Sequence, residues 1–218
     1  MNYEQLYEGK VDTYFVHGRP EILPFIPLGI QTALDVGCGN GAFGQMLKAK
    51  RTCKVWGIEP NKTAAEEAAQ KLDKSITGLF VRDMPELAGQ KFDAIFFNDV
   101  LEHLTDPGEA LAYCKQLLTP NGYVIASIPN IRWYPVILSL LRYKDFDYQE
   151  SGVMDKTHMR FFTLKSMKRL FESNGFKVIK TGGINKDTNF KFLNILNFLL
   201  FNSQEDMKYP QFVIVATN

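Results

Sequence analysis

The chain has 218 residues, enough for one large domain with a full hydrophobic core. Its 25 basic and 24 acidic side chains nearly cancel, which argues against nucleic acid as a partner. Three cysteines without metal-site spacing predict a reduced, cytoplasmic protein. The N-terminus lacks the apolar core of a signal peptide, and the longest apolar stretch, residues 190–201, is too short to span a membrane.

Apolar runs alternate with helix-favouring segments from residue 32 to residue 128. Strands are predicted at residues 32–36, 54–59, 76–81, 92–98 and 122–128, with helices at residues 41–50, 62–72 and 108–118. Asn61 and Asp106 are placed to cap the second and third of these helices. This alternation predicts a parallel sheet covered by helices on both faces, with ligands bound at the carboxyl ends of its strands.

The remaining segments add to this core at both ends. Residues 3–27 are predicted to form helices, with Pro20 and Glu21 suited to a helix start. A helix at residues 164–174 and strands at residues 176–181 and 211–217 complete the pattern. Residues 131–163 and 184–207 interrupt it, and the second of these segments carries an apolar helix at residues 190–201.

A glycine-rich turn, GCGNG, follows the first predicted strand and opens the first helix. Glycine adopts positive φ and lets a ligand approach the backbone, while the helix N-terminus attracts anionic groups. Gly37, Gly39 and Ala42, with Glu59 further on, satisfy the relaxed dinucleotide fingerprint. Taken alone, this pattern is compatible with NAD.

Acidic residues at the same predicted edge favour a different ligand. Asp35 lies in the end of the first strand, and Asp83 and Asp99 follow the third and fourth strands. Together with Glu59 they make the edge negative, which repels a diphosphate and attracts a cation. A cationic adenosine compound therefore fits this edge better than a dinucleotide does.

The segments LDVGCGNG, GIEPN, FDAIFFNDVLEHL and LLTPNGYVIASIPN resemble the class I S-adenosylmethionine-dependent methyltransferases over residues 33–130. Residues 130–176 are similar to bacterial methyltransferases found with cell-surface glycan genes and, more loosely, to ubiquinone-type O-methyltransferases. The resemblance implies an α/β fold: a Rossmann-like, doubly wound, mostly parallel seven-stranded sheet with one antiparallel member. The order of segments along the chain predicts a single domain over residues 1–218, with an N-terminal helical cap (1–30), a cofactor-binding core (31–130) and lid-like substrate-side insertions (131–163 and 184–207).

The resemblance also implies a set of S-adenosyl-L-methionine-binding residues. Asp35 would hold the methionine amino group and Glu59 the ribose hydroxyls, while Asp83 would accept from the adenine amino group beside Met84. The full predicted set is Asp35, Gly37, Cys38, Gly39, Gly41, Glu59, Pro60, Asp83, Met84, Asn98 and Asp99.

Methyl transfer from a sulfonium requires alignment and, for a hydroxyl acceptor, removal of a proton. His158 is the favoured general base and His103 the alternative, although each can instead have a structural role. His17 is given no catalytic role. Because the chain has no His/Cys cluster at ligand spacing, the sequence predicts a metal-free enzyme.

Arg160, Trp133 and Tyr134 are candidate substrate-binding residues. Arg160 can bind an anionic acceptor or pair with Asp155, and the two aromatic rings can stack on a sugar or serve ordinary packing. The predicted reaction is O-methylation of a small molecule or glycan precursor by a protein that can form a homodimer. An NAD-dependent oxidoreductase and a non-catalytic cofactor-binding module remain the alternatives.

Overall fold

The computed structural model describes residues 18–188, Asn197 and residues 203–218. The N-terminal helices predicted before residue 18 and His17 lie outside the described residues. So does the apolar helix predicted at residues 190–201, apart from Asn197. No helix among the described residues is both long and apolar enough to cross a membrane.

In the described part of the chain, seven strands form one sheet in the order β3-β2-β1-β4-β5-β7-β6. The first five are parallel, and β7 runs antiparallel to β5 and β6. The strands are β1 (Thr32–Val36), β2 (Lys54–Glu59), β3 (Lys74–Thr77), β4 (Phe92–Asn98), β5 (Leu118–Pro129), β6 (Lys177–Ile184) and β7 (Gln211–Thr217). The predicted fold class is confirmed. Strand order reverses between β1 and β4, where ligands of doubly wound sheets bind.

Five α-helices accompany the sheet in the described residues. They are α1 (Ala42–Lys50), α2 (Lys62–Ala68), α3 (Pro107–Leu117), α4 (Tyr134–Tyr143) and α5 (Leu164–Ser173), with 3₁₀ helices at Pro20–Phe25, Pro85–Leu87, Leu101–His103 and Glu205–Lys208. Both predicted caps are confirmed. The Asn61 side chain accepts a hydrogen bond from the Ala64 amide, and the Asp106 side chain accepts one from the Glu109 amide, each at 3.0 Å.

Alternate residues of each strand contribute to two buried apolar clusters. Ile95 and Phe97 of β4 belong to one cluster, which also holds residues of α3 and α5. Phe96 belongs to the other, together with residues of α1 and the 3₁₀ helix at Pro20–Phe25. Because side chains alternate across a strand, the two clusters lie on opposite faces of the sheet. The carboxyl edge of the sheet lies between these two packed layers.

Some element bounds differ from the sequence-based ones. The third strand is Lys74–Thr77 and not residues 76–81, because its partner β2 ends at Glu59, opposite Thr77. Phe80, predicted within that strand, instead packs its ring against Phe97 and Tyr113, with centroids 5.8 and 5.3 Å apart.

The fifth strand begins at Leu118 and includes the predicted turn at residues 120–122, where its pairing register with β4 shifts. The second helix ends at Ala68 and not at residue 72. The sixth strand continues to Ile184 because it pairs with β7 as far as Gln211. The division of the chain into cap, core and insertions remains a prediction.

Candidate active site

Three glycines shape the turn between β1 and α1. Gly37, Gly39 and Gly41 have φ values of 69°, 53° and 79°, in the left-handed region that side chains disfavour. A Cβ atom on Gly37 would lie 2.6 Å from Cγ2 of Val100. The turn therefore requires glycine at position 37 for both its backbone conformation and its packing.

The carboxylate of Glu59 is fixed by this turn and by the start of α2. Its Oε2 atom accepts a hydrogen bond from the Gly39 amide and its Oε1 atom accepts one from the Asn61 amide, each at 2.9 Å. Burial raises the pKa of Glu59, and these two hydrogen bonds oppose that rise. The end of β2 thus presents an oriented carboxylate beside the glycine turn.

Asp35 lies at the same edge and is 1% exposed. Burial, reinforced by the negative charge of Glu59, raises the pKa of Asp35 to about 8, although Arg19 acts in the opposite direction. Its Oδ2 atom is buried and accepts no hydrogen bond from the described residues. A buried acceptor without a donor is unfavourable, and a ligand ammonium group would satisfy it.

These groups face a cavity of about 800 Å³. Its wall also includes residues of the 3₁₀ helix at Leu101–His103 and of the segment after α4. The sequence-predicted residues that line it are Asp35, Gly37, Cys38, Gly39, Glu59, Pro60, Asn98, Asp99, His103, Trp133 and His158. The fold therefore brings most of the predicted cofactor residues and both candidate bases to one cavity.

Three predicted cofactor residues do not line this cavity. Asp83 is exposed, with φ at 59°, in the loop after β3. Met84 is buried in the apolar cluster that contains Phe97, and a Cβ atom on Gly41 would lie 3.0 Å from the backbone of Ala68. Their predicted roles in cofactor binding remain predictions.

Two predicted substrate residues also lie outside the cavity lining. The Arg160 guanidinium donates to the carbonyl oxygen of Thr105, with its Nε atom 3.1 Å away. Tyr134 is half-buried as the first residue of α4, while Trp133 directly before it lines the cavity. Cys38 lines the cavity too, but burial raises the pKa of its thiol, which therefore stays protonated.

Both candidate bases are held by backbone carbonyl groups. The Nδ1 atoms of His103 and His158 donate to the carbonyl oxygens of Thr157 and Val153, each at 3.1 Å. The two rings contact each other edge to face, with centroids 4.8 Å apart. Because Nδ1 carries the proton in each ring, Nε2 is the basic nitrogen of the neutral imidazole.

Glu102 lies close to both histidines and is 1% exposed. Its Oε1 atom is 3.9 Å from Nε2 of His158, and neither carboxylate oxygen accepts a hydrogen bond from the described residues. Burial raises the pKa of Glu102 well above its usual range, and the negative charge of Asp99 adds to this rise.

The methyltransferase-domain family matches residues 7–181 of this chain. The chain belongs to that family. The match confirms the methyltransferase predicted from the sequence, and it includes both the glycine turn and the two cavity histidines.

Several curated relatives of this methyltransferase are ubiquinone biosynthesis O-methyltransferases. The one from Rhodopseudomonas palustris strain HaA2 is 31% identical over 156 residues, which cover 69% of this chain and 60% of the relative. The one from Alkalilimnicola ehrlichii is 32% identical over 102 residues, covering 44% of this chain and 41% of the relative. The chain thus spans roughly half the length of these relatives.

Solved structures share the fold of this methyltransferase over its whole length. A SAM-dependent methyltransferase from Archaeoglobus fulgidus has a TM-score of 0.69 at 17% identity, with all of both chains covered. One from Aquifex aeolicus has a TM-score of 0.62 at 14% identity, covering 100% of this chain and 98% of the other. At these identities the likeness shows the fold alone.

Glu102 and Arg19 are among the residues of this methyltransferase's cavity that sequence reasoning missed. Arg19 is 12% exposed and donates to the Asp99 carboxylate, to Ser127 Oγ at 3.1 Å and to Gln211 Oε1 at 3.2 Å. The carboxylates of Asp99 and Glu21 raise its pKa in spite of burial. The sequence could have indicated Glu102 as a site residue, because it directly precedes the candidate base His103 in the segment after the fourth predicted strand. The sequence could not have indicated Arg19, because its partners Asp99, Ser127 and Gln211 lie far from it along the chain.

Proposed function

We propose that this methyltransferase transfers the methyl group of S-adenosylmethionine to a hydroxyl oxygen of a small molecule or glycan precursor. One observation carries the proposal: a glycine turn with two oriented acids and a pair of buried imidazoles face the same cavity. The glycine turn and its acids suit a cationic nucleoside-like cofactor, and the imidazoles suit the removal of a hydroxyl proton.

The chain's own residues fit this cofactor. The Oδ2 atom of Asp35 is a buried acceptor that a ligand ammonium group would satisfy, and Glu59 has lone pairs left for ribose hydroxyls. Arg19 places a positive charge at the same cavity, which suits the carboxylate of the methionine half. We therefore assign the cofactor to the glycine-turn side and the acceptor to the histidine side.

S-adenosylmethionine supplies an electrophilic methyl group whose leaving group is the neutral sulfur of S-adenosylhomocysteine. The acceptor oxygen forms the new C–O bond with a lone pair as the C–S bond breaks, and the electron pair of that bond stays on sulfur. The hydroxyl proton passes to Nε2 of His158 or of His103, which becomes an imidazolium ion. Trp133 forms part of the cavity wall on which an acceptor ring can stack.

The names of the relatives support oxygen as the methylated atom, because both are O-methyltransferases. They also favour an aromatic hydroxyl among the small-molecule acceptors. A cytoplasmic location, a homodimer and an acceptor-binding role for Arg160 and Tyr134 remain predictions.

Calorimetric titration with S-adenosylhomocysteine and, separately, with NADH tests the cofactor. We expect binding of the first alone, and about a tenfold loss of affinity in Glu59→Gln, because one charge-assisted hydrogen-bond acceptor is removed. Glu66→Gln on the exposed side of α2 is the matched control. Binding of NADH alone would overturn the proposal.

A second assay tests the acceptor through the formation of S-adenosylhomocysteine. Catechols, simple phenols and nucleotide sugars are offered in turn with S-adenosylmethionine. Turnover with a hydroxyl compound, together with a methyl ether in the product, is the expected result. Turnover only with amine acceptors would contradict O-methylation.

A further inference from the structure

We infer that Glu102, His103 and His158 form a binding site for a divalent first-row transition-metal ion in the cavity wall. The binding inference stands on the geometry of these three side chains. Its catalytic consequence, coordination of the acceptor oxygen, rests on the proposed function.

The three side chains form a compact ligand set. One carboxylate oxygen of Glu102 and one ring nitrogen from each histidine all lie within 4.8 Å of one another. All three residues are buried and all three line the cavity. Two ligands that each lie about 2.1 Å from one ion can be about 4 Å apart, so small side-chain rotations would close the site.

Backbone hydrogen bonds prepare both imidazoles for metal ligation. In each ring Nδ1 donates to a main-chain carbonyl, and this leaves Nε2 as the unprotonated nitrogen that can bind a metal ion. A metal-bound histidine commonly donates a hydrogen bond from its other ring nitrogen to a carbonyl or carboxylate, which fixes the tautomer and the orientation of the ring. The amides of Met159 and Arg160 both donate to the Glu102 carbonyl, at 2.9 and 3.1 Å, and tie the two segments together.

The carboxylate of Glu102 supplies the second, independent observation. It is 1% exposed, and its two oxygens accept no hydrogen bond from the described residues. A buried carboxylate with no donor is costly, since neither water nor protein compensates its lost hydration. A cation held by this oxygen and two imidazoles provides that compensation.

Two imidazoles and one carboxylate leave coordination positions open to the cavity. An acceptor hydroxyl that binds there loses its proton to solvent water, and the oxygen retains the lone pair for the new C–O bond. In that case His103 and His158 act as ligands and not as bases. The sequence-based expectation of a metal-free enzyme arose because the two histidines lie far apart along the chain.

Co²⁺ titration of protein stripped with a chelator tests the site, with the visible absorption of the bound ion as readout. We expect one Co²⁺ per chain, and affinities lower by at least about tenfold in Glu102→Gln and His158→Gln. Glu172→Gln at an exposed position of α5 is the matched control. S-adenosylhomocysteine binding by each variant verifies its fold. The inference is overturned if the wild type shows no saturable absorption, or if both cluster variants bind Co²⁺ with the affinity of the wild type.

Two measurements on the wild-type protein remain informative if a variant does not fold. Bound Co²⁺ should slow carbethoxylation of His103 and His158, as mapped by mass spectrometry, and unchanged reactivity at both histidines overturns the site. A chelator should abolish methyl transfer and Co²⁺ should restore it. Full activity in chelator overturns the inference but leaves the proposed function intact, whereas failure to bind S-adenosylhomocysteine overturns the proposed function whatever the Co²⁺ result.

Discussion

The two sides of the cavity are held together in different ways. On the glycine-turn side, the amides of Gly37 and Cys38 donate to the Ile58 carbonyl at 2.8 and 3.1 Å, which ties β1 directly to β2. On the histidine side, the segment at residues 151–160 reaches the 3₁₀ helix at Leu101–His103 through bonds such as that from His103 to Thr157. The first side is thus an extension of the sheet, and the second depends on one inserted segment. Variants on the two sides should therefore have separable effects.

The largest effect is expected from Gly37→Val on the glycine-turn side. The new side chain meets Val100 and forces positive φ on a β-branched residue, so we expect about a 100-fold loss of S-adenosylhomocysteine affinity. Gly89→Ala is the control, because its φ of 72° is similar but no atom lies near its Cβ position. Calorimetry should show normal affinity for the control. Equal losses in the two variants would contradict a local role for the turn.

On the histidine side, His158→Gln should reduce kcat about 100-fold and change S-adenosylhomocysteine affinity by no more than about twofold. The reason is that its ring contacts His103 and Glu102, which belong to the 3₁₀ helix at Leu101–His103 and not to the glycine turn. The control is Met159→Gln at the exposed neighbouring position, which should keep near-normal kcat. A parallel loss of affinity and kcat would show that the two sides are not separable.

Asp35→Asn should raise the free energy of unfolding of the cofactor-free protein by roughly 5 kcal/mol near pH 8.5, and by much less near pH 4. The folded-state pKa of Asp35 is raised to about 8, so the unfolded state binds fewer protons between about pH 4 and 8. Wild-type stability therefore falls relative to the variant as pH rises through that range. Urea unfolding at several pH values measures the difference, and a pH-independent difference would contradict the assigned cause.

The same variant should lose affinity for S-adenosylhomocysteine, because its amide cannot supply the charge that an ammonium group requires. A gain in stability together with a loss of S-adenosylhomocysteine affinity would show that Asp35 serves ligand binding and does not stabilise the fold. Asp93→Asn is a useful comparison. The Asp93 carboxylate accepts hydrogen bonds from the Gln31 and Thr32 amides, which hold its pKa below its usual value, so this substitution should reduce stability at neutral pH.

The smallest effect is expected from Asp83→Asn. This side chain is exposed and does not line the cavity, so calorimetry should show S-adenosylhomocysteine affinity within about twofold of the wild type. A tenfold loss would instead support the adenine contact implied by the family resemblance, and would require the loop after β3 to move on binding.

Much of the fold was predictable because its signals are local. Strand bounds at Thr32–Val36, Lys54–Glu59, Phe92–Asn98 and Gln211–Thr217 follow from apolar runs that end in polar residues or turn residues. The caps at Asn61 and Asp106 depend on hydrogen bonds within one helical turn. The third strand was misplaced because its end is set by its partner β2, and no local pattern records that register.

The glycine turn, Asp35 and Glu59 could be assigned from sequence for a similar reason, since parallel strands bring their carboxyl ends to one edge. The grouping of Glu102 with His103 and His158, and the contacts of Arg19 with Asp99 and Gln211, arose only from the tertiary structure. Glu102 and His103 are neighbours in the chain, but His158 reaches them only through the packing of an inserted segment, and Arg19 lies far along the chain from Asp99 and Gln211. Local backbone preferences and strand alternation therefore specify where the glycine turn and its two acids lie, whereas long-range packing decides which other side chains face the same cavity.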